Sequence, residues 1–187
     1  MLTNLPNLLT LSRIGVIPVL VGLLYFHDPM SRWIALALFT AAGLTDYLDG
    51  YLARHRGEVS ALGRFLDPIA DKLLVASLII MLVAIGEVRG LVVIPALIIL
   101  CREILVSGLR EYLAEIKVSL PVSKLAKWKT VIQMIALGFP IVGEEAGPDI
   151  LPMEAIADSG LWLAAALTLI TGYDYLAKGL KHMAEDS

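Results

Sequence analysis

Four aspartates carry the first chemical signal: Asp46 and Asp49, three residues apart, and Asp67 and Asp71, four apart. On a helix either spacing puts both carboxylates on one face, so each pair forms half of an oxygen-lined site. Both pairs lie in or beside long apolar runs, where an Asp at the centre of a span costs about 2.5–3.5 kcal/mol to insert. A bound cation offsets that cost, and an all-oxygen donor set suits Mg²⁺ or Mn²⁺. Intramembrane carboxylates also serve as proton relays or pair with a neighbouring Arg, here Arg54, but four of them with glycines at matched positions point to metal. Gly50 and Ala53 follow Asp46 at one-turn steps, and Gly63 precedes Asp67 by one turn. Two readings of these small residues stand together: a ligand lying against bare backbone, or close helix packing.

The elements that must hold these groups are membrane spans. Of 187 residues, 58% are hydrophobic and 18% charged, with mean hydropathy +0.78, far from the balance of a soluble domain. The apolar segments predict an all-α polytopic bundle of six transmembrane helices in one domain over 1–187, with spans at about 8–26, 32–54, 62–86, 90–116, 124–142 and 161–179. The first residues show no basic n-region and no small-residue cleavage site, so the first span is expected to stay. The stretch Glu144 to Gly160 is acidic and Gly/Pro-containing and reads as a loop, and Asp174 is expected to hydrogen-bond within the bundle. Cys101 is the single cysteine, which excludes an internal disulfide, and its expected role is packing.

Sorting the basic residues by helix end gives the topology. Arg32 and Arg89 share one side with the acidic stretch; Arg54, Arg56, Arg64, Arg110, Lys117, Lys124, Lys127, Lys129, Lys178 and Lys181 share the other. The positive-inside rule makes the second side cytoplasmic, so both termini and all four Asp are expected there.

A second polar cluster lies on the fourth and fifth segments. Glu103, Ser107 and Arg110 fall on one helical stripe, and Lys127 and Thr130 can do the same on the next helix. Arg gives phosphate oxygens a fork and Lys a point charge, so this stripe suits a phosphate-bearing substrate. Lysines at a cytoplasmic helix end are equally what topology alone produces. Arg102–Glu103 reads as an internal ion pair bracing the site, and Arg13, one turn inside the first span, either snorkels to the interface or meets substrate.

The run D-x2-D-G-x2-A-R-x8-G-x3-D-x3-D, complete from Asp46 to Asp71, resembles the signature of the CDP-alcohol phosphotransferase family of membrane enzymes. The resemblance implies a six-helix membrane fold and attack of an alcohol hydroxyl on the β-phosphorus of a CDP-linked lipid, with CMP leaving. It also implies that Asp46, Asp49 and Asp67 hold two divalent ions and that Asp71 both reaches metal and acts as base. Gly50, Ala53, Arg54 and Gly63 would cradle the CDP moiety. A more particular resemblance rests on Arg102 to Glu111, on Lys127-Trp128-Lys129-Thr130 with Gln133-Met134, and on Asn4-Leu5-Pro6-Asn7-Leu8-Leu9-Thr10 with Arg13 and Pro18. This pattern is similar to the bacterial phosphatidylglycerophosphate synthase branch, which implies CDP-diacylglycerol as donor and sn-glycerol 3-phosphate as acceptor. Arg110 and Lys127 would then bind the acceptor phosphate, with Thr10, Arg13, Arg102, Ser107, Lys129 and Thr130 around them. Two alternatives stand beside this reading: a transferase of the same family with another acceptor, such as a cardiolipin synthase using phosphatidylglycerol, and a divalent-cation carrier. Membrane lipid is an expected partner, nucleic acid is not, and the apolar faces leave room for a homodimer.

Overall fold

The computed structural model describes residues 5–56, 61–116, 118 and 124–185; within them, the side chains of 5–7, 46–56, 61, 62, 64, 124 and 181–185 are outside the description. Six helices account for most of it: α1 (Leu5–Tyr25), α2 (Pro29–Arg56), α3 (Ala61–Ala84), α4 (Val93–Glu115), α5 (Lys124–Ala146) and α6 (Met153–Glu185), with one 3₁₀ turn, Gly90–Val92, leading into α4.

Each helix has an inward stripe at helical spacing. In α1 it is Thr10, Arg13, Leu20 and Leu24; in α2, Arg32, Ala35, Phe39 and Ala42; in α6, Met153, Ala157, Leu161, Ala164, Thr168, Thr171 and Tyr175. Steps of three and four keep such positions on one side of a 3.6-residue helix. The stripes close round a core that includes Leu20, Phe39, Leu78, Leu82, Ile99, Leu137 and Leu161. Helix α1 packs against α2 and α3, α2 against α5, α5 against α6, and α6 against α4, which returns to α3. The six helices therefore form a closed ring in the order α1, α2, α5, α6, α4, α3.

Helix ends follow local chemistry. Asp28 caps α2: its carboxylate accepts from the Ser31 N–H at 2.8 Å and the Ser31 hydroxyl at 2.6 Å, with Pro29 at the first helical position. The Ser31 hydroxyl and then its N–H hold the Asp28 carboxyl below the usual carboxylate range. Helix α3 ends in a Schellman motif in which the Gly86 N–H reaches Val83 O and the Glu87 N–H reaches Leu82 O, with Gly86 at φ 81°.

Among the described residues, four stretches, Leu8–Tyr25, Gly90–Glu115, Leu125–Ala146 and Met153–Leu180, are long and apolar enough to cross a membrane. Helices α2 and α3 carry the Asp pairs and run 28 and 24 residues; at about 1.5 Å per residue both exceed the ~30 Å hydrocarbon layer. The chain is a helical membrane bundle, as its hydropathy predicts.

Four details depart from expectation. Helix α6 begins at Met153, two turns before the apolar run at 161. Met153, Ala157 and Leu161 continue its buried stripe, while Glu154 stays exposed. Helix α5 breaks at Gly143, φ 64° and ψ −174°, and Glu144 and Glu145 sit in a short helical turn beyond the kink, so the acidic loop shrinks to 147–152. Cys101 is exposed, because the inward stripe of α4 runs through Ala96, Ile99 and Val106. Asp174 is likewise exposed on α6 rather than turned into the bundle.

The two ends of the ring differ in chemistry. At one, the starts of α2 and α6 meet the ends of α3 and α5. There Arg32, 1% exposed, pairs with Glu87 at 2.7 Å and Glu145 at 3.5 Å, and donates to Ile141 O at 3.4 Å. Arg89 pairs with Glu154 at 2.9 Å on the surface. Gly143, φ +64°, lets the chain pass under this clamp: a Cβ there would stand 2.8 Å from Arg32 Nη1 and 2.7 Å from Glu87 Oε2. The other end holds the candidate site.

Candidate active site

Asp67 and Asp71 lie in the first half of α3, one turn apart, and α3 runs unbroken through Pro68. Both retain solvent access, Asp67 exposed and Asp71 partly so. Helix α1 lies against this face and brings Thr10, whose hydroxyl donates to Asp67 Oδ1 at 2.5 Å. Arg13, three residues on, is buried on the same stripe of α1. Lys72 Nζ is 3.4 Å from Asp71 Oδ2, with 41% of the Asp71 side chain accessible.

Asp46, Asp49, Gly50, Ala53 and Arg54 occupy the second half of α2, where only the helical backbone is described. Gly63 is buried at the start of α3. Among the described residues no three His, Cys, Asp or Glu side chains converge on one point. Asp67 and Asp71 offer two accessible carboxylates one turn apart, while the side chains of Asp46 and Asp49 lie outside the description. The donor chemistry fits a hard divalent ion: carboxylate oxygens, one of them held in place by a hydroxyl from α1.

The second polar cluster is assembled by α4, α5 and α6. Glu103 Oε1 accepts from Lys129 Nζ and from Arg102 Nη1 at 3.3 Å. Arg102 is anchored to α6, with Nε donating to Thr168 O at 3.0 Å and Nη2 to Thr171 Oγ1 at 3.1 Å. Its stem lies against Gly172, where a Cβ would stand 3.0 Å from Arg102 Cγ. Lys129 is 4% exposed. Gln133, one turn further on, extends the buried polar face.

Of the remaining sequence candidates, Arg110 and Lys127 are exposed, Ser107 is half-buried, and Thr130 is exposed with its hydroxyl on Ala126 O at 3.2 Å. The structure thus separates two lysines that lie two residues apart, one sealed against Glu103 and one facing out. The pairing of Glu103 with Lys129 was not foreseen. The stripe Lys129, Gln133, Ala136 could have revealed it, since it turns Lys129 and not Lys127 inward.

Comparison with known proteins matches the geometry. The family model for CDP-alcohol phosphatidyltransferase matches residues 3–170. A protein of Rickettsia bellii named CDP-diacylglycerol–glycerol-3-phosphate 3-phosphatidyltransferase is 50% identical over 172 residues, covering 92% of this chain and 93% of that one. A protein of the same name in Cereibacter sphaeroides is 36% identical, with 98% of each chain covered. Among solved structures, the fold resembles Mycobacterium tuberculosis phosphatidylinositol phosphate synthase with CDP-DAG bound, at TM-score 0.63 and 20% identity over 95% of this chain and 87% of that one. A family match across most of the chain, on a helical bundle that carries the four-Asp signature, makes this protein an enzyme of the CDP-alcohol phosphatidyltransferase family.

Proposed function

We propose that the enzyme transfers the phosphatidyl group of CDP-diacylglycerol to sn-glycerol 3-phosphate, giving phosphatidylglycerophosphate and CMP, with Mg²⁺ or Mn²⁺ as cofactor. The observation that carries this reading is identity at half of all aligned positions with the Rickettsia bellii protein, whose name specifies both substrates.

The residues supply a consistent chemistry. Asp46, Asp49, Asp67 and Asp71 would hold the ions, and Gly50, Ala53, Arg54 and Gly63 would cradle the CDP group. When bound, divalent ions neutralise the pyrophosphate and the leaving phosphate oxygen. Asp71 is accessible enough to meet the acceptor hydroxyl and takes its proton as that oxygen bonds to the β-phosphorus. The bond from the β-phosphorus to the bridging oxygen then breaks, and CMP leaves with that oxygen. A positioned base of this kind contributes about 10²–10⁴-fold. Thr10 holds Asp67 in one orientation. Arg110 and Lys127, exposed at the basic end of the bundle, suit capture of a phosphate arriving from water. The excess of Lys and Arg at that end supports a cytoplasmic site and cytoplasmic termini in a bacterial inner membrane. The lipid donor would then enter sideways from the bilayer and the acceptor from the cytosol.

A panel assay tests the reading. Purified enzyme supplied with CDP-diacylglycerol and Mg²⁺ should release CMP with glycerol 3-phosphate and little with serine, inositol phosphate or phosphatidylglycerol. Release with phosphatidylglycerol alone would make it a cardiolipin synthase, and metal uptake by proteoliposomes without CMP release would favour a carrier.

A further inference from the structure

The cluster between α4, α5 and α6 carries more charge than its internal pairing balances. Two cations, Arg102 and Lys129, share the single carboxylate of Glu103, leaving one positive charge in excess in a largely buried site. Buried charge of that kind calls for an anion.

The hydrogen bonds run in one direction. Helix α6 fixes Arg102 through Thr168 O and Thr171 Oγ1. Arg102 fixes the Glu103 carboxylate, and Glu103 fixes the Lys129 ammonium. Arg has a rigid planar fork and suits the anchored place, whereas Lys carries its charge on a flexible stem and needs a partner to define where it points.

We propose that Glu103 is a positioning residue for the acceptor: anchored through Arg102 to α6, it fixes the Lys129 ammonium where the acceptor phosphate meets it. The phosphate supplies the negative charge that the cluster lacks. This rests on the phosphate-bearing acceptor proposed above and adds to it the group that orients the phosphate contact.

The test compares the full-length enzyme with Glu103→Gln, Glu103→Asp, Lys129→Gln and the double variant Glu103→Gln/Lys129→Gln. Each is assayed for acceptor KM, CDP-diacylglycerol KM and thermal unfolding. Glu103→Gln should raise the acceptor KM on the order of tenfold, the effect of one misplaced charge-assisted contact, with the donor KM nearly unchanged. Glu103→Asp keeps the charge but shortens the reach, and should give a smaller rise in the same parameter. In the double variant the two effects should not add, because Glu103 acts through Lys129. If Glu103→Gln alone does not accumulate as folded protein, the double variant still decides, since it loses one charge of each sign and keeps the net charge of the cluster. A double variant that is stable and has the wild-type acceptor KM would overturn the proposal by reducing the pair to a brace. Full additivity of the two effects in acceptor KM would overturn it as well. Wild-type turnover on the acceptor panel, run in parallel, tests the glycerol 3-phosphate reading separately. Should another phosphate-bearing alcohol be the substrate, that reading falls and the Glu103 assignment is decided on that alcohol's KM.

Discussion

Replacing Arg32 by Met probes the end of the bundle opposite the site. The guanidinium is 1% exposed and pairs with Glu87 at 2.7 Å and Glu145 at 3.5 Å. Removing one partner of a fully buried ion pair costs about 3–5 kcal/mol, mostly because the other charge is stranded. Glu87 keeps a fifth of its surface and Glu145 more than half, so both recover part of their hydration. The expected loss is therefore about 2–3 kcal/mol, roughly 30- to 150-fold in the ratio of folded to unfolded protein. The assay is unfolding in mixed micelles of rising SDS fraction, followed by tryptophan fluorescence, beside CMP release in the absence of SDS. Stability should fall by that amount while CMP release by the folded variant stays near wild type. Adding Glu87→Gln should recover part of the loss, because the more buried of the two stranded carboxylates is then gone and Glu145 is the better hydrated one. Gly143→Ala should also destabilise by about 1–3 kcal/mol, because φ 64° with ψ −174° is a backbone region open essentially to glycine alone. In the Arg32→Met background Gly143→Ala should cost less, since Arg32 Nη1, 2.8 Å from the new Cβ, is gone. Wild-type stability of Arg32→Met, or full additivity with Gly143→Ala, would refute the clamp.

Three further outcomes concern the site. Asp71→Asn should reduce turnover by about 10²–10⁴-fold while metal-dependent binding of CDP-diacylglycerol, measured by isothermal titration, is largely kept; lost binding with retained turnover would reject the base assignment. Arg110→Ala should raise the acceptor KM far more than the donor KM, and equal effects would contradict a phosphate contact. Thr10→Val removes the hydroxyl that orients Asp67. It should raise the Mn²⁺ concentration for half-maximal activity roughly 10- to 100-fold, as loss of an outer-shell partner does. A change confined to the acceptor KM would instead assign Thr10 to the acceptor.

Much of this architecture is written in local spacing. The Asp pairs announce one-faced carboxylates because three and four residues are about one helical turn, and stripes such as Ala35, Phe39, Ala42 follow the same period. Features that depend on distant partners were not legible. Arg32 meets Glu87 and Glu145, 55 and 113 positions away, so its sequence neighbourhood marks only a helix start. The first two turns of α6 look like a loop because their outer face carries Glu154, while Met153 and Ala157 face inward. The pairing of Lys129 with Glu103 needed the relative phase of α4 and α5, which no segment encodes alone.

The central claim is transfer of a phosphatidyl group to the hydroxyl of glycerol 3-phosphate, and isotope placement tests it most directly. Enzyme, Mg²⁺ and CDP-diacylglycerol are incubated with glycerol 3-phosphate labelled with ¹⁸O at its terminal hydroxyl, and CMP and lipid are analysed by mass spectrometry. The account predicts CMP and phosphatidylglycerophosphate in equal amounts, with the label retained in the lipid. Label in CMP, or CMP released without a new phosphatidyl lipid, would contradict it.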